Sequence, residues 1–227
     1  MGVPVNVNAE IAEIKAMIKR TTDNLLTFVS KPGRAGAQLR SAVGDLNAHI
    51  EIYLSDATFA DRLRTCFLLA TEAGISLAWL DKVLRGLVDE DPKSVSAISV
   101  MQNAFILALA QQARIIARTK FKSRDDVDAT MRRQKVWFDA ARDYAAERMA
   151  NPSYVSLLEL AAAMTRYLTD VARPLPRMLR YTLPIVWPSL TISNYIYGEG
   201  DRGEELVAEN RIVHPLFMKR RLKALSA

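Results

Sequence analysis

The chain has 227 residues, half of them apolar and a quarter charged, which excludes a disordered tail and provides for one large domain or a large and a small one. Its net charge of +6 permits contact with nucleic acid or an acidic protein surface and demands neither. A single cysteine, Cys66, excludes an internal disulfide.

Met1 to Asn8 has neither the basic nor the apolar segment of a signal peptide, so none is expected. Asn8 is an N-cap candidate for a first helix, with Ile11, Ile14, Ile18, Thr21, Leu25 and Phe28 at helical spacing. Lys31-Pro32-Gly33 stops it. A second stripe runs through Leu39, Val43, Leu46, Ile50 and Leu54. Asp56 is expected to cap a third helix carrying Phe59, Leu63, Phe67 and Ala70 up to Gly74. Ser76 opens a fourth, with Leu80, Val83, Leu84 and Leu87, closed by Asp89-Glu90-Asp91-Pro92. Ser94 opens a fifth that reaches Arg118.

That fifth helix starts with twenty uncharged residues, Ser94 to Ala113, but seven of them are Ser, Asn or Gln. The composition suits a buried core helix and not a lipid-spanning one. Ser123 and Asp126 form a capping-box pattern ahead of a sixth helix, with Val127, Met131, Phe138, Ala141 and Ala145 inward. Asn151-Pro152 punctuates the chain before a seventh, with Val155, Leu158, Ala162 and Leu168 on one face.

From Arg173 the texture changes. Pro174, Pro176, Pro184 and Pro188 preclude a long helix. Met178–Leu183 reads as a strand, Ser189–Tyr197 as a short helix, Gly198–Gly203 as a turn, Glu204–Asn210 as another short helix, and Leu222–Ser226 as a second strand. The expected architecture is mostly α. A body of about seven helices spans residues 1–172, and a Pro-rich connection with a small β-α-α-β subdomain spans 173–227.

No motif assembles an enzyme site. Gly198-Glu199-Gly200-Asp201-Arg202-Gly203 has the spacing of a dinucleotide fingerprint. It follows a helix instead of a strand, and Glu199, Asp201, Glu204 and Glu205 would repel a pyrophosphate. His49 and His214 lack ligands at metal spacing, and Cys66 has no neighbouring histidine in sequence. His49, beside the apolar stripe, is expected to be partly buried. Trp137, Phe138 and Tyr144 read as core. No catalytic residue, metal or cofactor is expected.

Basic residues gather at two places. Arg114, Arg118, Lys120, Lys122, Arg124, Arg132, Arg133 and Lys135 flank a helix connection diluted by Asp125, Asp126 and Asp128. Lys219, Arg220, Arg221 and Lys223 lie near the C-terminus. Arg114, Arg118, Arg132, Arg133 and the C-terminal four are the candidate interaction residues. Without interleaved aromatics to stack bases, a solvated face or the docking of an acidic neighbour is favoured over phosphate contact, which stays the alternative.

Three runs in the last part of the chain carry a resemblance. They are Pro184-Ile185-Val186-Trp187-Pro188-Ser189-Leu190, then Tyr195-Ile196-Tyr197-Gly198, then Glu204 to Pro215 with its Asn210-Arg211-Ile212 core. They resemble the C-terminus of the Mu-like phage DNA circularisation proteins, tail components of contractile phages. Residues 125–172 resemble the family's long helices more loosely. The β-α-α-β order also resembles LysM-like modules of tail proteins, without matching residues for a glycan. Family members carry a further N-terminal domain, here expected on another polypeptide or absent. Past His214-Pro215 this chain has Leu216-Phe217-Met218 where the family has a Gly-containing turn.

The resemblance implies a non-enzymatic virion component at the tail tube and baseplate junction, made in the host cytoplasm. It implies other tail and baseplate proteins as partners, a homo-oligomeric ring such as a hexamer, and no membrane. The family's label keeps a genome-end-holding DNA factor as the alternative.

Overall fold

The computed structural model describes residues 7–28, 33–148 and 151–226, apart from the side chains of 143–148 and 151–153. Its elements in chain order are α1 (Val7–Thr27), α2 (Arg34–Ala48), α3 (Ile50–Ser55), α4 (Phe59–Glu72), α5 (Leu77–Val88), α6 (Val95–Arg118), α7 (Arg124–Arg148) and α8 (Asn151–Ala172). Then come β1 (Met178–Thr182), α9 (Ser189–Tyr197), α10 (Gly203–Glu209) and β2 (Arg221–Leu225). The chain is mostly helical, with one two-stranded antiparallel sheet among the described residues.

Two compact units share these elements. The first comprises Met1–Thr119 and Lys135–Ala162, the second Lys120–Gln134 and Ala163–Ala227. The boundary expected at residue 173 thus lies inside the second unit. Arg124 accounts for this. Its backbone N–H donates to the Pro176 carbonyl at 2.9 Å, and its guanidinium donates to the carbonyls of Leu175 at 2.8 Å and Arg173 at 2.7 Å. The start of α7 is therefore tied to the Pro-rich connection.

In the first unit α6 packs against α1, α4 and α5, and α2 packs against α4. Ile14, Ile18, Leu39, Leu46, Phe67 and Leu84 are among the fully buried side chains, each contributing about 1.5–3 kcal/mol of apolar burial. Two glutamines of the uncharged stretch find partners in this core. Gln112 donates to Asp81 Oδ1 at 2.7 Å, and Trp137 Nε1 donates to the same oxygen at 2.8 Å. Thr71 Oγ1 donates to Gln111 Oε1 at 2.9 Å. No helix among the described residues is long and apolar enough to cross a membrane.

The helix starts were readable where a side chain caps. Ser76 accepts from the Trp79 amide and Ser94 from the Ala97 amide. Ser123 and Asp126 make the reciprocal pair, each amide donating to the other's side chain at 3.2 Å. Elsewhere the structure corrects the reading. Asn8 lies inside α1. Asp56 does not cap α4; it follows α3, and Thr58 stands at the α4 N-cap. The chain reverses there through Ala57 at φ 56, with its amide on the Leu54 carbonyl and the Thr58 amide on the Tyr53 carbonyl.

The second stripe is split at His49, whose φ of −122 and ψ of 24 separate α2 from α3, so among the described residues eight helices stand where about seven were expected. His49 is exposed, not partly buried, and its ring contacts Asp45. On α8 the buried positions are Leu157, Met164 and Leu168, while Val155 and Leu158 are exposed. Leu168 is buried as expected. Met131 is half-buried, and Trp137 and Phe138 are buried as expected. The side chains of Tyr144, Ala145, Asn151 and Pro152 lie outside the described residues.

Candidate interaction surface

In the second unit, β1 and β2 pair with Met178 opposite Leu225 and Thr182 opposite Arg221. Period-two alternation sends Leu222 and Ala224 inward and Arg221 and Lys223 outward. Leu183, Ile192, Leu206, Met218, Leu222 and Ala224 form a small core, with Trp187, Tyr197, Val207 and Ile212 packed against it.

The glycine-rich turn is structural. Gly198 ends α9 in the left-handed region at φ 78, where glycine carries no Cβ penalty. Ser193 Oγ donates to the Glu199 carbonyl at 2.7 Å. Arg202 lies 3.8 Å over the Tyr197 ring and donates twice to Glu205, at 3.0 and 3.2 Å. Burial pushes the Tyr197 phenol up to about 12. The run joins two helices, which is not the setting of a dinucleotide fingerprint.

The end of α10 builds the next feature. The Arg211 amide donates to the Ala208 carbonyl and the Ile212 amide to the Val207 carbonyl, with Arg211 left-handed at φ 49. Asn210 ends the helix and reaches β2. Its Nδ2 donates to the Lys223 carbonyl at 2.7 Å, and the Lys223 amide donates to its Oδ1 at 2.7 Å. This clamp places Arg211 beside β2.

A cleft of about 890 Å³ results, lined on one side by Lys122, Ser123, Asp125 and Asp126 and on the other by the α10 end and β2. Arg211, Lys219, Arg221 and Lys223 line it, and none has a side-chain partner among the described residues. Its own carboxylates are engaged. Asp125 accepts from the Met178 amide at 2.7 Å, Asp126 from the Ser123 amide at 3.2 Å, and Glu209 pairs with Lys122 at 3.7 Å.

Of the expected interaction residues, Lys219, Arg221 and Lys223 therefore come together. Arg220 turns away and donates to the Leu183 carbonyl at 3.3 Å. Arg132 and Arg133 lie on α7 outside the cleft lining, and Arg114 and Arg118 are exposed on α6 in the first unit. Sequence reasoning missed Lys122 and Arg211 as members of this group. The helix stop after Glu209-Asn210 was the signal that could have found Arg211.

Beside the cleft residues in sequence lies an apolar rim. The segments 184–189 and 214–218 run side by side, the Ser189 amide on the Pro215 carbonyl at 2.7 Å and the Met218 amide on the Trp187 carbonyl at 3.3 Å. They carry exposed Ile185, Val186, Leu216 and Phe217, the last 69% exposed, and Trp187 stacks edge-on against exposed Tyr195 at 5.5 Å.

Charge is distributed unevenly. In the first unit sixteen Lys and Arg meet sixteen Asp and Glu; in the second fifteen meet nine, so the whole excess of +6 belongs to the second. Cys66 is buried in α4, and burial pushes its thiol up to about 12, which keeps it protonated at neutral pH. No group of His, Cys, Asp and Glu among the described residues could hold a metal ion. No protein-family model matches the chain, and a search of curated proteins finds no match.

Proposed function

We propose that this chain is a non-enzymatic structural component of a contractile phage tail, at the junction of tube and baseplate, assembling through protein–protein contacts. One observation carries the assembly part of this reading. The segments that resemble the phage family bury Leu206, pack half-buried Trp187 and Ile212 against it, and hold Ile185, Val186, Tyr195 and Val213 out to solvent. Large apolar side chains displayed together on an otherwise folded unit are what a protein neighbour covers. The antiparallel β1 and β2 around two short helices support a LysM-like reading of the unit, without its sugar chemistry. Copies would close into a ring through heterologous contacts, located in the virion and in the host cytoplasm before assembly.

Quantitative mass spectrometry of purified phage particles from the source strain tests this. About six copies per tail, or a multiple, is the expected result for such a ring. Absence from particles overturns it. A second reading is a DNA factor that holds genome ends, favoured by the concentration of the excess charge in one unit. It requires duplex binding that weakens steeply with salt.

A further inference from the structure

We infer that the cleft between the α7 start and β2 is a docking groove for an acidic, partly apolar protein segment. The inference deepens the assembly reading by giving the chemistry of the neighbour, and it holds for any assembly in which the chain takes part.

Four cations, Arg211, Lys219, Arg221 and Lys223, line one cleft without partners among the described residues. Like charges gathered this way repel one another, and a carboxylate-bearing occupant relieves that repulsion. Asp125, Asp126 and Glu209 offset only part of this charge, because Lys122 adds a fifth cation to the lining. Balanced charge in the first unit leaves this unit as the place where an acidic partner gains most.

Two features favour a protein over nucleic acid. Asp125, Asp126 and Glu209 interrupt the lining, so a continuous phosphate backbone would meet negative charge along its path, whereas spaced carboxylates can alternate with them. No aromatic side chain lines the cleft to stack a base. The apolar residues sit instead at Leu216 and Phe217, just before Lys219 in the chain, where the occupant's own apolar side chains would rest.

The test uses the full chain and a short fluorescein-labelled peptide of alternating Glu and Leu, with labelled duplex DNA as the rival probe. Anisotropy at low salt should show peptide binding that weakens at least about tenfold in the variant Arg211→Gln/Lys219→Gln/Arg221→Gln/Lys223→Gln. It should be unchanged in Lys19→Gln/Arg34→Gln/Arg40→Gln/Arg64→Gln, which removes four exposed cations from the first unit. Equal loss in both variants, or no peptide binding, overturns the inference. DNA binding tighter than peptide binding, and lost with the cleft variant, also overturns it and assigns the groove to nucleic acid. Carbodiimide coupling of the peptide to the unmodified chain is independent of variant folding. Amide bonds at Lys219 and Lys223 support the groove, and coupling confined to lysines of the first unit refutes it. Particle composition and peptide binding can fail separately, so each reading is judged on its own.

Discussion

Asn210 and Lys223 meet as one edge meets another: the side-chain amide of Asn210 occupies both backbone groups of Lys223, at 2.7 Å each. The ladder explains why those groups are free to be taken. The Leu183 amide reaches the Arg220 carbonyl and the Ser226 amide reaches the Arg177 carbonyl, so alternation turns the Lys223 N–H and C=O away from β1. Asn210 also donates to the Leu206 carbonyl at 2.8 Å, so one residue closes the helix and stops the strand edge.

Asn210→Ala should lower the stability of the second unit by about 1–2 kcal/mol, the worth of hydrogen bonds lost on both sides. Hydrogen exchange at the Lys223 amide checks it. That amide should exchange slowly in the wild type and fast in the variant, and an unchanged rate would show that the clamp is idle.

Among the described residues two other than glycine hold left-handed backbone, Ala57 and Arg211. Each carries a Cβ penalty that glycine lacks. Ala57→Gly and Arg211→Gly should each raise stability by about 0.5–1 kcal/mol, the relief of strain exceeding the entropy glycine adds to the unfolded chain. Chemical denaturation measures it. Arg211→Gly is the sharper case, because it should stabilise the fold while weakening binding in the cleft.

Asp81 receives Gln112 and Trp137 on one oxygen inside the first unit. Asp81→Ala strands both donors and should cost about 3 kcal/mol. Asp81→Asn keeps an acceptor and should cost less. Thermal unfolding followed by tryptophan fluorescence separates them; equal losses would mean that packing, not the hydrogen bonds, sets the cost.

Glu13 on α1 seals the start of α6. It accepts from the Lys93 amide at 2.6 Å and the Ser94 amide at 3.1 Å. These bonds, the Lys93 one foremost, hold its carboxyl below the ordinary carboxylate range. A lowered value in the fold means stability that is present above the unfolded value and lost as pH falls through the folded one. Glu13→Gln should therefore flatten the acid side of the stability profile. A profile as steep as that of the wild type would assign the acid loss to other carboxylates.

Much of this was legible in the sequence because the signals are local. The Ser76, Ser94 and Ser123 starts rest on one hydroxyl three residues from an amide, and proline bounded β1 and the start of α9. The misses are of one kind. Nothing in Ala57 or Arg211 announces a left-handed turn, so Asp56 read as a cap and Arg211 was left out of the basic clusters. Asp45 accepts from Tyr53 at 2.7 Å across the break at His49, a link invisible to a periodicity that runs through it. The cleft was half legible. Alternation on a strand could separate Arg221 and Lys223 from Leu222, but only the fold brings Lys122 and Arg211 to them and turns Arg220 away.

The pairing of Met178 with Leu225 sets a schedule for synthesis. Forty-six residues separate the two, and the sheet cannot close until the second has left the ribosome. Until then Arg221 and Lys223 have no strand to present them and Asn210 has no edge to clamp. The first unit's residues all precede Ala163 and leave the ribosome earlier. The cleft lined by Arg221 and Lys223 therefore takes shape only after the sheet has closed.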